Sequence, residues 1–199
     1  MSDSPLILAS ASPRRRELLA QVGIACEAHP VDLDETVDPG ETPAAYVERL
    51  ALAKARVCRD LATTPDDAIF LGADTAVVVD GEILGKPRDR EDAFSMLRRL
   101  SGREHEVLTA VALVRGGREA VRVSISRVGF ADVSEAAIAA YWETGEPADK
   151  AGAYGIQGRA AAFIHHVSGS YSGVVGLPLF ETVEMLGEFG MDAWEQGRF

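Results

Sequence analysis

Apolar residues follow two spacings along this chain, one typical of buried strands and one typical of amphipathic helices. Unbroken apolar runs at residues 6–9 and 68–79 have the length of buried strands, and the second run is rich in β-branched residues. Apolar residues three and four positions apart predict five helices. These helices begin near Ser12, Thr42, Pro87, Ser134 and Pro178.

Turn residues indicate where strands fold back on one another. Asp80-Gly81 and Gly116-Gly117 each separate two strand-like runs, and both pairs predict hairpins. Further strands are predicted at residues 24–28 and 163–167, and residues 169–172 are predicted as a loop. Hairpins among helices imply a mixed sheet and not a purely parallel one. We therefore expect an α/β fold in a single domain that covers residues 1–199.

The first helix begins with positive charge, which the helix dipole disfavours at that end. Ser12 can cap this helix and Pro13 suits its first position, but Arg14, Arg15 and Arg16 follow. A bound anion, most simply a phosphate, would explain guanidinium groups beside free N–H groups; the alternative is solvated surface. Arg16 points away from the apolar face and fits the alternative. Arg15 shares that face and Arg14 flanks it, so both are candidate phosphate ligands.

The second helix has a lysine in the middle of its apolar stripe. Lys54 lies among the apolar positions, whereas the arginines of this helix lie on the opposite side. Such a lysine either reaches the surface along its alkyl stem or points into a cleft. Its central position favours the cleft. The stripe consists of Val47, Leu50, Ala51, Val57, Cys58 and Leu61.

A carboxylate interrupts the apolar strand at residues 68–79. Asp74 is costly there unless it is paired, bound to a metal or turned towards a cleft. A structural role at a strand bulge is the alternative. Otherwise Asp74 is a candidate general base, and Thr75 is a nearby polar contact.

An acidic segment precedes the second helix, with four carboxylates at Asp32, Asp34, Glu35 and Asp38. Most acidic loops are only solvated. Adjacent carboxylates on a loop are also what a hard cation such as Mg²⁺ requires. The segment is therefore either solvated surface or part of a metal site. The candidate metal ligands are Glu35 from this segment and Asp74 from the strand.

The glycines of residues 149–158, DKAGAYGIQG, match neither the dinucleotide fingerprint nor a phosphate-binding loop. They let the backbone approach a ligand or another strand closely. Gln157 could hydrogen-bond to the edge of a nucleotide base from this segment, because an amide both donates and accepts.

Lys86 lies in a Gly-Lys-Pro turn, a position that says little without other evidence. The histidine spacing argues against a histidine-ligated metal site, since His165 and His166 would face opposite sides of a strand and cannot both bind one metal.

Composition narrows the class of partner. The net charge of −11, with no basic tract to offset it, argues against a nucleic-acid polymer or an anionic membrane as partner. A phosphate ligand would instead be small and held in a cleft by local cations. The chain has two cysteines and no CxxC pair, which fits a reducing compartment. It has no apolar run of membrane length, and its apolar N-terminal run is too short for a signal peptide. We therefore expect the protein in the cytoplasm.

Several motifs together resemble those of the Maf family of nucleoside triphosphate pyrophosphatases. The likeness covers nearly the whole chain in order, and several blocks together are far more specific than any one of them. The matching blocks are LASASPRRRELL, DLDE, ERLALAKA, LGADTAVV, GEILGKP, DKAGAYGIQG and GSYSGVVGLPL.

The resemblance implies an elongated, strongly curved mixed sheet with flanking helices, and two lobes around a central cleft. It also implies cleavage between the α and β phosphates with a divalent cation, Mg²⁺ or Mn²⁺, and a homodimer as one arrangement. AYGIQG with GSYSGVVGLPL is similar to the subgroup that acts on dTTP and UTP. Gly173 stands where that subgroup usually has a larger residue.

The family pattern also implies residue roles. Asp74 matches the proton acceptor, and Glu35 matches a carboxylate that positions metal or water. The positions that match phosphate-binding residues are Ser10, Arg14, Arg15, Lys54 and Lys86, and those that match base-selecting residues are Arg14, Thr75 and Gln157.

Two other functions stay open on the sequence. A regulator of cell division could sense dTTP or UTP with little turnover, although binding alone does not require Asp74 and Glu35. A phosphatase would release orthophosphate. The products formed from each nucleoside triphosphate separate the three functions.

Overall fold

The computed structural model describes residues 4–63 and 67–193, which form a mixed sheet flanked by helices. The α/β class is therefore confirmed. The strands are β1 (Leu6–Leu8), β2 (Glu27–Ala28), β3 (Ile69–Val79), β4 (Glu82–Leu84), β5 (Glu104–Arg115), β6 (Arg118–Phe130) and β7 (Ile164–Ser168). The helices are α1 (Pro13–Gln21), α2 (Pro43–Leu61), α3 (Arg90–Leu100), α4 (Glu135–Trp142), α5 (Tyr171–Val175) and α6 (Leu179–Glu188), and short 3₁₀ turns lie at Glu146–Asp149, Ala151–Ala153 and Arg159–Phe163.

The described strands form one sheet in the order β2-β1-β3-β5-β6-β7, with β4 paired beside β3. Strand β1 runs parallel to both neighbours, with Leu6 opposite Ile69. Strand β4 runs antiparallel to β3, and β7 runs antiparallel to β6. The sheet is mixed, as the hairpins predict.

Contacts divide the chain into two compact units. The first consists of the described residues up to Asp74, together with Thr109–Ser124 and the described residues from Gly176 onwards. The second consists of Thr75–Leu108 and Ile125–Val175. Strands β3, β5 and β6 each contribute residues to both units.

In the first unit, α2 packs directly against β3. A Cβ on Gly72 would lie 2.0 Å from the carbonyl oxygen of Ala51, so only glycine allows the helix backbone so close. Lys54 lies one turn after Ala51 and is buried among the apolar residues of the helix. Two predicted stripe positions are wrong: Val57 is half-buried at the edge of the stripe, and Leu61, at the helix end, is exposed.

The core of the second unit contains a cluster of aromatic rings. His105, Phe130 and Tyr154 make edge-to-face contacts with ring centroids 4.9–5.4 Å apart. The His105 side chain is buried, and its Nε2 lies 2.8 Å from the Tyr154 hydroxyl. These contacts fix β5 and β6 against the segment that carries Tyr154.

Three local predictions differ from the structure. Ser12 is the N-cap of α1, but its side chain makes no capping hydrogen bond. The strand predicted at residues 24–28 is reduced to Glu27–Ala28, because the Ile24 N–H bonds back to Leu19 and closes α1. The loop predicted at residues 169–172 is in part helical: the Ser170 hydroxyl accepts from the Gly173 N–H at the start of α5.

Among the residues described, no helix has both the length and the apolar content needed to cross a membrane.

Candidate active site

The turn between β1 and α1 holds an arginine in a fixed orientation. The Ser10 hydroxyl accepts hydrogen bonds from the Ser12 N–H at 3.2 Å and from Arg15 Nη1 at 3.1 Å. Arg15 Nε donates to the carbonyl oxygen of Gly176 at 2.8 Å. The guanidinium group is thus held from two sides next to the N-terminus of α1, where free N–H groups favour an anion.

The electrostatics around Arg15 connect it with the rest of the site. Burial lowers the pKa of Arg15, the neighbouring Arg14 lowers it further, and the charges of Asp74 and Glu35 oppose both effects. Since a guanidinium group stays charged in proteins, the group remains a cation close to both carboxylates. Arg16 is exposed, as expected for the arginine that points away.

A buried lysine joins the two candidate carboxylates. Lys54 Nζ donates to Glu35 Oε1 at 2.5 Å and to Asp74 Oδ1 at 2.6 Å. The side chains of Lys54 and Asp74 are only 11% and 9% exposed, whereas that of Glu35 is 45% exposed. The ammonium group therefore compensates one buried carboxylate and one partly solvated carboxylate.

Asp74 is a buried carboxylate between two cations. Burial raises the pKa of Asp74, and the positive charges of Lys54 and Arg15 counteract that rise, as does the hydrogen bond from Lys54. A carboxylate with a raised pKa accepts a proton more readily than a solvated one. The site thus combines a proton acceptor with cations that can bind phosphate oxygens.

Glu35 and Asp74 are the residues that could hold a divalent cation. Mg²⁺ is usually bound by one or two carboxylates, and phosphate oxygens and waters complete its octahedron. In the described part of the chain, no group of three His, Cys, Asp or Glu side chains is arranged to hold a metal without such help. The two carboxylates fit a cation that arrives with a polyphosphate.

The structure brings together some of the residues predicted from the sequence. Ser10, Arg15, Glu35, Lys54 and Asp74 are connected by the contacts described above. Arg14 is half-buried beside Arg15.

Three other predicted residues belong to the second unit. Thr75 is half-buried and directly follows Asp74 in β3, Lys86 is exposed after β4, and Gln157 is exposed in the glycine-rich segment. The roles of these three residues stay predictions.

The sequence analysis missed two polar residues, Tyr46 and Glu146, whose hydrogen bonds hold segments that carry predicted site residues. The Tyr46 hydroxyl donates to the carbonyl oxygen of Glu35 at 3.0 Å. In the second unit, Glu146 accepts from the Tyr141 hydroxyl at 2.7 Å and from the Arg159 N–H at 2.9 Å. A Cβ on Gly158 would lie 2.1 Å from Glu146 Oε1, so this glycine lets the loop close over the carboxylate. The Gly-Glu-Pro sequence around Glu146 indicated only the end of a helix.

Comparison with known proteins gives consistent matches over nearly the whole chain. The Maf-like protein family matches residues 5–189. The dTTP/UTP pyrophosphatase of Hahella chejuensis is 55% identical over 189 residues, which cover 95% of this chain and 94% of the relative. That of Symbiobacterium thermophilum is 57% identical over 192 residues, 96% of this chain and 97% of the relative. That of Saccharophagus degradans is 49% identical over 195 residues, 98% of this chain and 93% of the relative.

Proposed function

The chain belongs to the Maf-like protein family, and from that premise we propose that it hydrolyses dTTP and UTP to the nucleoside monophosphate and pyrophosphate. The substrates are supported by relatives that are about half identical over nearly the full chain and are named dTTP/UTP pyrophosphatases. The observation that carries the proposal is the Lys54 bridge between Asp74 and Glu35, beside Arg15. A site that only bound nucleotide would not need a buried carboxylate with a raised pKa.

The cations bind the triphosphate on this proposal. Arg14, Arg15 and the N–H groups at the start of α1 receive phosphate oxygens, and Ser10 keeps Arg15 oriented. Lys54 contributes an ammonium group next to Asp74. Lys86 is proposed, from the family resemblance, to bind phosphate as well. Positive charge fixed in place stabilises the negative charge that develops in the transition state.

Asp74 is the proposed general base. A water oxygen attacks the α phosphorus, the bond from that phosphorus to the β-phosphate oxygen breaks, and the proton of the water passes to Asp74. Pyrophosphate leaves with the bonding electrons. Glu35 and Asp74 would hold Mg²⁺ or Mn²⁺, which when bound neutralises phosphate charge.

The remaining parts of the proposal concern selectivity and setting. Arg14, Thr75 and Gln157 are proposed to select the pyrimidine base, and the whole chain is proposed to act as one domain with its site in a cleft. Both cysteines, Cys26 and Cys58, are free, which is compatible with a reducing cytoplasm. A homodimer stays a prediction from the family resemblance.

Product analysis tests the proposal. The protein is incubated with each nucleoside triphosphate and Mg²⁺ or Mn²⁺, and the products are identified. We expect pyrophosphate from dTTP and UTP. Orthophosphate would instead indicate a phosphatase, and binding without product a nucleotide sensor.

The role of Asp74 is tested by Asp74→Asn, which keeps the shape of the side chain. Loss of a general base costs roughly 10²–10⁴-fold in rate, so kcat should fall by that factor while nucleotide still raises the melting temperature. Asp60→Asn is the matched control, because Asp60 is exposed and pairs with Arg59 at 2.8 Å. Normal turnover by Asp74→Asn would exclude Asp74 as the base.

A further inference from the structure

The segment that carries Glu35 buries none of its own side chains. All residues from Asp34 to Gly40 are exposed. A segment without buried side chains is ordered only as far as polar contacts hold it. Contacts within the segment and its end include hydrogen bonds from the Thr36 N–H and hydroxyl to Asp34 at 2.9 and 2.6 Å. The Asp38 N–H also donates to Glu41 at 3.1 Å.

Helix α2 supplies the contacts that tie this segment to the fold. Arg49 Nε and Nη2 donate to the two carboxylate oxygens of Glu41 at 2.6 and 2.7 Å. Arg49 Nη2 also donates to the carbonyl oxygen of Thr36 at 3.0 Å. The bidentate pair fixes the orientation as well as the distance of the segment.

The same helix holds Glu35 at two points. The Tyr46 hydroxyl donates to the main-chain carbonyl of Glu35, and Lys54 Nζ donates to its carboxylate. Tyr46 and Lys54 are eight residues apart on α2, which is about 12 Å along the helix axis. Helix α2 thus contacts both the main chain and the side chain of Glu35. Lys54, which contacts the side chain, also donates to Asp74.

The environment keeps these groups in the protonation states that the contacts need. Burial raises the pKa of Tyr46 to about 12, with further contributions from the charges of Asp74 and Glu35, so its hydroxyl stays a donor. The hydrogen bond from Arg49 lowers the pKa of Glu41 to about 2, so this carboxylate stays an acceptor. Neither contact is lost within the pH range of an ordinary assay.

We propose that Tyr46 is a positioning residue that sets the place of the Glu35 carboxylate relative to Lys54 and Asp74, while Arg49 holds the rest of the segment. Tyr46 acts through Glu35 and not on the substrate. The inference rests on the proposed function for its kinetic consequence, but the tether itself can be measured without turnover.

Tyr46→Phe removes the hydroxyl and keeps the ring. A single hydrogen bond of this kind contributes enough to change a rate roughly two- to ten-fold, so kcat/KM for dTTP should fall by that factor. In a Glu35→Gln background the same change should have no further effect, because residues that act through one another are not additive. Equal losses in both backgrounds would overturn the inference.

Amide hydrogen exchange measures directly how firmly the hydrogen bonds of Tyr46 and Arg49, here called the tether, hold this segment. Amides of residues 34–41 should exchange faster in Tyr46→Phe and in Arg49→Lys than in the parent. Arg56→Lys is the matched control, since Arg56 is also an α2 arginine paired with a glutamate, Glu119, but lies away from this segment. Unchanged exchange in Tyr46→Phe would refute the tether. If the parent released no pyrophosphate, the proposed function would fail while the exchange result still decided the tether.

Discussion

Replacing Lys54 by methionine removes the ammonium group and keeps an unbranched side chain in the same buried place. Lys54 Nζ and Asp74 Oδ1 are 2.6 Å apart, and both side chains are about nine-tenths buried. Removing one partner of a buried ion pair costs about 3–5 kcal/mol, because the other charge loses its compensation. The pair with the half-solvated Glu35 contributes less than about 1 kcal/mol. Lys54→Met should therefore lower the free energy of unfolding by about 3–5 kcal/mol at pH 8, mostly through Asp74.

The loss should be smaller at pH 5. Burial already raises the pKa of Asp74, and without Lys54 that pKa rises further. A raised pKa in the folded state means that folding favours the protonated carboxyl, so stability is retained at acid pH and lost as pH rises through the folded-state pKa. Denaturant unfolding of parent and variant from pH 5 to pH 8 measures the difference, which should grow with pH.

Two further variants separate the causes. Glu35→Gln removes only the exposed arm and should change the free energy of unfolding by less than about 1 kcal/mol. Adding Asp74→Asn to Lys54→Met removes the uncompensated charge and should abolish the growth of the loss with pH. If Lys54→Met lost the same free energy at pH 5 and at pH 8, the carboxylate of Asp74 would not be what Lys54 compensates, and the reasoning would be refuted.

Gly72→Ala places a Cβ 2.0 Å from the carbonyl oxygen of Ala51, so α2 must move. Thermal unfolding should show a loss of about 1–3 kcal/mol or more together with lower kcat/KM, whereas Gly117→Ala, with open space around it, should change neither. Burial lowers the pKa of His105 from 6.5 to about 4, so between these two pH values only the unfolded state gains a proton as the pH falls. The free energy of unfolding of the parent should therefore fall by about 3 kcal/mol over this pH range, and that of His105→Gln should not. Parallel profiles of unfolding free energy against pH would contradict the assignment.

Much of the site could be predicted because its residues break the local apolar pattern. Lys54 interrupts a helical stripe and Asp74 interrupts a strand, and a charge in such a place needs a partner. In the structure Lys54 and Asp74 pair with each other, with Nζ and Oδ1 2.6 Å apart. Arg15 was predictable from its position on the inward face of α1, although its hydrogen bond to Gly176, 161 residues further on, was not.

The missed residues are ordinary in their local sequence. Tyr46 lies in the second turn of a helix, and Glu146 lies in a turn after Gly145, places where either residue type is common. Their importance comes from tertiary contacts to Glu35 and to the Arg159 backbone, which no periodicity contains. Residues that carry charge into a core are visible in a sequence, whereas residues that hold a surface loop become visible only when the chain is folded.

The two ion pairs of Lys54 differ in strength, and on the proposed function that difference sets the order in which a polyphosphate would replace them. Leaving Asp74 would uncover a buried charge, whereas leaving Glu35 releases a carboxylate that is 45% exposed to water. On the proposed function, a phosphate oxygen that competes for the ammonium would therefore displace Glu35 first. Lys54 would then hold phosphate and Asp74 together, and Glu35 would be available to a cation that accompanies the phosphate. The tether from Tyr46 to the main chain keeps Glu35 in place during this exchange, because it does not depend on the carboxylate.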